Sequence, residues 1–303
     1  MINYGYACLN TELRDNNIFN SRTMRKKTFQ EKGLSYTSKL CLQNVRDLIT
    51  ILNWNYKHNI KLFRISSEMF PWASEYVLED LPDFENIKTC LEIAGKYADV
   101  TGQRLSFHPG QFNCLASDKP HVIENSLKDL EIHSKIFDLM QRPKSTYAKI
   151  NIHLGSTCNG NLEQAAYNFC KNFDQLSDNM KSRLTVENDD KANMFSAKFL
   201  YEKIYNQIGI PIVFDAHHFE LGPQDSSYEE AYLMAYESWG NVRPTFHYSN
   251  SKKTYEDESC RVYTAHSDYY YKPFVAVKDN VDVMLEAKMK EKALQKYLSD
   301  FIQ

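Results

Sequence analysis

The chain has 303 residues, is 43% hydrophobic and 25% charged, and sets 36 basic against 39 acidic side chains for a formal charge of −3. This composition excludes a fibre, a disordered charged tail and a membrane-embedded protein, and leaves one large or two ordinary globular domains. Seven scattered cysteines, odd in number and without a CxxC pair, exclude a disulfide framework and a zinc ribbon, so an intracellular, reducing compartment is expected.

In chain order, short β-rich runs are predicted at 2–7, 61–66, 104–108, 149–154, 183–187, 211–215, 245–249 and 281–286. Helical spacing lies between them, as with Ile123, Leu127, Leu130 and Phe137 after Pro120, and with Leu294, Tyr297, Leu298 and Phe301 near the C-terminus. Gly209 followed by Pro211 ends one helix, and Ser227-x-x-Glu230 is a capping box that opens another, which Gly240 can close. No apolar run reaches the roughly 18 residues of a membrane span. The first residues also lack the pattern of a secretory leader, so neither membrane association nor export is expected. Without a linker or repeat, residues 1–303 read as a single domain. Eight strands separated by helices in this length favour a (β/α)8 TIM barrel over a doubly wound sheet.

Ligand-type side chains fall at the ends of those strands. The third ends at His108, the fourth at His153, the fifth at Glu187, and the sixth at Asp215, followed by His217 and His218. The seventh contains His247 and the eighth ends at Glu286. In a barrel these ends open onto one face. A single histidine or carboxylate at such a place is ordinarily a hydrogen-bonded residue or a helix cap, but six successive strands ending this way favour metal binding. His266, between strands seven and eight, joins the set, while His58, His121 and His133 lie in helical segments and read as structural. Imidazole and carboxylate without thiolate suit Mn, Zn or Fe. The number of donors implies two or three divalent ions sharing Glu187, with manganese first and zinc or magnesium as alternatives. Closely spaced ions suit phosphodiester hydrolysis. The acidic total argues against a global DNA-binding field, although Arg22, Arg25, Lys26 and Lys27 form a local basic cluster that fits either a phosphate backbone or a solvated face.

The order of these motifs resembles the UV damage endonucleases, TIM-barrel repair enzymes related to metal-dependent apurinic-site endonucleases. It is carried by GYACLN at 5–10, FRISS at 63–67, SFHPGQF at 106–112, IHLG at 152–155, EN at 187–188, DAHH at 215–218, HYS at 247–249, HSD at 266–268 and MLEAKMKE at 284–291. The resemblance implies a monomeric enzyme that incises double-stranded DNA immediately 5′ to cyclobutane dimers and (6-4) photoproducts, leaving a 3′-hydroxyl. It also implies that His108 and His153 hold one ion with Glu187 bridging, that Asp215, His247 and Glu286 complete a second, and that His218 and His266 hold a third. Glu187, Glu286, His108 and His247 are the expected catalytic residues.

The resemblance further implies that Gln111 and Phe112 enter the duplex and that Tyr6 and Asn10 line the lesion pocket; Tyr6 also reads as a core residue. An aromatic wedge fills the gap left by extruded bases. Three positions depart from the family. Thr245 stands where many members carry a carboxylated lysine, Glu75 where histidine is usual, and Phe112 where tyrosine is common. Competing readings are an apurinic/apyrimidinic-site endonuclease, a sugar isomerase on the same scaffold, and a non-catalytic damage-binding module.

Overall fold

A computed structural model describes residues 2–302. All eight expected strands form: β1 (Asn3–Ala7), β2 (Leu62–Arg64), β3 (Arg104–Ser106), β4 (Ile150–Ile152), β5 (Leu184–Glu187), β6 (Ile212–Val213), β7 (Thr245–Tyr248) and β8 (Asp282–Leu285). Every pairing is parallel. One sheet runs β3-β2-β1-β8-β7 and the other β4-β5-β6. Single parallel bridges, Phe107 to Ile150 and Asp215 to His247, join the sheets at both seams. The strands therefore follow one another around a closed TIM barrel, as the rhythm of the sequence predicts.

The period-two alternation of each strand divides its side chains between two environments. On β4, Ile150 and Ile152 join the apolar core while Asn151 reaches Thr185 and Glu187 inside the barrel. Just past β3, Phe107 packs at 4.7 Å on Phe137 of the helix Pro120–Leu139, whereas Arg104 crosses the barrel floor to Asp282 at 3.0 Å. Ala7, Leu62 and Met284 form a small buried apolar group apart from the main core. Gly5 is required by close approach, since a Cβ there would lie 2.1 Å from the Leu62 carbonyl oxygen.

The local signals hold. Ser227 and Glu230 form a reciprocal capping box at the helix Tyr228–Glu237, Gly209 caps its helix with φ +69, and the amphipathic segments become helices Pro120–Leu139 and Lys290–Phe301. Gly240, expected to close the capped helix, instead lies in the turn after its C-cap Ser238. No described helix is long and apolar enough to cross a membrane.

Candidate metal centre

The strands end earlier than the sequence pattern suggests, and the ligand-type residues occupy the positions just beyond. Only Glu187 and His247 lie within their strands. His153 and Glu286 follow theirs by one residue, and His108 and Asp215 by two. These side chains gather at the C-terminal ends of the strands. Asp215 also caps the short helix Ala216–Leu221, its Oδ1 accepting from the His218 backbone N–H at 2.8 Å, which presents His218 to the mouth.

Glu187 is the hub, 1% exposed. Its Oε2 lies 3.1 Å from His108 Nε2 and 3.9 Å from His153 Nε2, and its Oε1 lies 3.0 Å from His247 Nδ1 and 3.4 Å from His218 Nδ1. Asn151 donates to the same Oε2. Glu286 sits 3.3 Å from His247 Nδ1 and pairs with the Arg64 guanidinium. Three trios result whose ligand atoms lie within 4.8 Å of one another: His108, Glu187 and His247; His153, Glu187 and His218; Asp215, His247 and Glu286.

The trios group these residues by distance alone: His108 and His153 both approach the same Glu187 Oε2, their ring centroids 5.4 Å apart, and the His108 and His247 rings stand 5.9 Å apart. His266 stands outside the three trios, its Nδ1 3.2 Å from the Glu286 carbonyl oxygen and 3.9 Å from the Glu286 carboxylate. His217 is fully buried beside Thr264 O at 3.4 Å, and burial pushes its imidazole down to about 3.

Electrostatics express the crowding. Burial opposes ionisation of Glu187, but His247, His153 and His108 outweigh it and hold the carboxyl well below its usual range. Burial likewise opposes charge on Glu286, and Arg64 overrides it. His153 is raised to about 10 because Glu187 and Asp189, whose Oδ1 is 3.1 Å from its Nδ1, overcome the burial penalty. Asp215 moves the other way for a carboxyl, up to about 7, chiefly through burial, and its Oδ2 is buried without a hydrogen-bond partner. An orphaned acceptor among imidazoles and carboxylates is the environment a divalent cation completes, and the donor set without thiolate fits a hard or borderline ion. No cysteine joins these groups among the described residues.

The Gln111–Phe112 loop borders a cavity of about 690 Å³ that reaches His108, His153 and His218. Phe112 is 83% exposed at its rim. Tyr6 and Asn10 do not share this mouth. Both are fully buried, with the Tyr6 hydroxyl donating to Asn55 Oδ1 at 2.7 Å and accepting from Asn10 Nδ2 at 3.0 Å, while Asn10 caps the helix Thr11–Asp15. The packing buries both side chains, Tyr6 within the apolar core.

Glu75 faces Lys26 at 3.6 Å on the surface, away from the trios. Thr245 is buried with an unpaired hydroxyl. Sequence reasoning missed Arg64, Lys149, Asn151 and Asp189. Asp189 lies two places beyond Glu187 and Arg64 lies inside the FRISS motif; Asn151 and Lys149 lie two and four places before His153, so the strand's period of two is the signal that finds them.

Fold and centre together define a TIM-barrel protein with a histidine and carboxylate cluster suited to divalent cations. The chain belongs to the UV-endonuclease UvdE family, whose sequence model matches residues 2–303. It is 35% identical over 301 residues to the UV-damage endonuclease of Schizosaccharomyces pombe, covering 96% of this chain but spanning only about half, 49%, of that longer protein. It is 32% identical to the UV DNA damage endonuclease of Bacillus mycoides, with 97% and 92% of the two chains covered. The crystal structure of SacUVDE superposes with a TM-score of 0.86 at 30% identity over 99% of this chain and 97% of that one. A D-psicose 3-epimerase from Clostridium cellulolyticum, at 9% identity and a TM-score of 0.53 over 94% of this chain and 85% of its own, shares the fold alone.

Proposed function

We propose that the chain is a single-domain, monomeric, metal-dependent DNA repair endonuclease that cuts the backbone immediately 5′ to UV photoproducts and leaves a 3′-hydroxyl. The observation that carries this reading is the placement of Glu187 at the shared corner of two trios, beside a cavity rimmed by an exposed aromatic. The position of the cut and the choice of lesion follow the resemblance.

His108, His153, Glu187, Asp215, His218, His247 and Glu286 would hold two or three divalent ions, manganese first, with His266 at the margin. Bound ions supply Lewis acidity and charge neutralisation for an in-line phosphoryl displacement. The chain's own groups do the rest. Asn151 fixes the Glu187 carboxylate and Arg64 balances Glu286. Gln111 and Phe112 enter the duplex and fill the gap left by extruded bases, an expulsion that is cheaper where a photoproduct has already weakened stacking.

The test is an end-labelled duplex carrying one cyclobutane dimer, incubated with protein and Mn²⁺ beside undamaged and abasic duplexes. A chelator-sensitive cut directly 5′ to the dimer is expected. Cutting at the abasic site alone would make the protein an apurinic/apyrimidinic-site endonuclease instead, and no cutting of any duplex would overturn the reading. Phe112→Ala should weaken binding of dimer duplex by roughly 5- to 150-fold, from about 1–3 kcal/mol of lost base stacking, without lowering the melting temperature.

A further inference from the structure

Each histidine of the three trios directs one ring nitrogen at the cluster and sets its ring against fixed protein. For His108 the support is the Pro109 carbonyl oxygen, 3.3 Å from Nδ1. For His153 it is Asp189. For His218 it is the Asn188 carbonyl oxygen, 2.9 Å from the Nδ1 that also borders Glu187, while Nε2 faces Asp215 at 4.0 Å. Carbonyls and carboxylates are the usual supports of ligating imidazoles, because they set the ring's plane and tautomer. His247 is the exception. Its Nδ1 faces Glu187 and Glu286, and its Nε2 lies 3.0 Å from the Nζ of Lys149, a fully buried amine carried across the lumen from the residue before β4.

A buried amine with so few partners is expensive to keep, and an apolar side chain of similar length would fill the same space. The geometry points to Lys149 as the positioning residue of His247: its amine accepts from Nε2–H, so that the Nδ1 lone pair stays aimed at the corner shared by Glu187 and Glu286. Since His247 belongs to two of the three trios, one amine sets the donor geometry of both. The inference rests on the metal reading of the cluster.

Mn²⁺ binding measured by calorimetry on wild type, Lys149→Met and Lys149→Gln tests it, together with imidazole ¹⁵N spectra of the metal-free proteins. Methionine keeps the length and loses the hydrogen bond, so Mn²⁺ affinity should fall about 10- to 100-fold, and the His247 ring signals should shift at an undiminished melting temperature. Glutamine, whose amide both donates and accepts, should recover most of the affinity. Wild-type affinity and unchanged ring signals in Lys149→Met would overturn the inference while leaving the metal centre intact. A Lys149→Met chain that fails to fold would replace positioning with a structural role. Wild type that binds no Mn²⁺ would overturn the metal reading and this inference together.

Discussion

Along β4 and its flanks, Ile150 and Ile152 face the helices while Lys149, Asn151 and His153 face the barrel axis. The same split runs around the ring. Outside the strands lies an apolar shell held by packing, as with Phe107 against Phe137 or Phe246 at 5.0 Å from Tyr232. Inside, Arg104, Lys149, Asn151, Thr185 and Asp282 fill the lumen with hydrogen bonds that rise to the ligand cluster. A barrel interior is usually packed with branched apolar residues. Here stability is concentrated in the shell, and the lumen is given over to holding charged side chains at fixed angles.

The sharpest way to break that contrast is to remove the hub. Glu187→Ala should reduce incision of dimer duplex to background while circular dichroism and the melting curve stay near wild type; near-normal cutting would show that the lumen is not specialised as described. The converse change is Phe107→Ala in the shell. Emptying the space of a fully buried ring should destabilise by about 3–5 kcal/mol, read by urea unfolding, with kcat of the folded fraction little altered. Smallest in effect is Tyr6→Phe, which deletes the hydroxyl shared by Asn55 and Asn10. A loss of about 1–2 kcal/mol is expected, with binding of dimer duplex unchanged, and weaker lesion binding at full stability would return Tyr6 to the lesion pocket.

The strands and their ligand-bearing ends are legible in the sequence because two periodicities coincide: β-rich runs recur at barrel spacing, and each of six ends in a residue type that binds metals. Which ligands meet is not legible, since a strand end specifies height in the barrel but not the angle at which a side chain leaves it. Rings from opposite sides of the mouth, His108 and His247, thus stand 5.9 Å apart, much as the neighbours His108 and His153 do at 5.4 Å. Lys149 and Arg64 escape notice because a lysine or arginine in a short strand has the same local signature as a solvated face, and only closure of the barrel turns it inward. Tyr6 shows the reverse problem. Its place at the head of the chain is evident, but its direction depends on Asn55, 49 residues away.

β1 pairs with β8, with Asn3 opposite Asp282 and Tyr6 opposite Leu285, and the buried carboxylate of Glu291 ties down the turn after β1 by accepting from the backbone N–H groups of Thr11 and Glu12. These contacts span about 280 positions of sequence. During synthesis, β1 emerges from the ribosome long before its partner exists, and loop closure over such a span is slow. Until β8 and the helix behind it arrive, the polar lumen stays open along one seam and Glu286 is missing from the cluster. The nascent chain therefore lacks the trio of Asp215, His247 and Glu286 until β8 has formed.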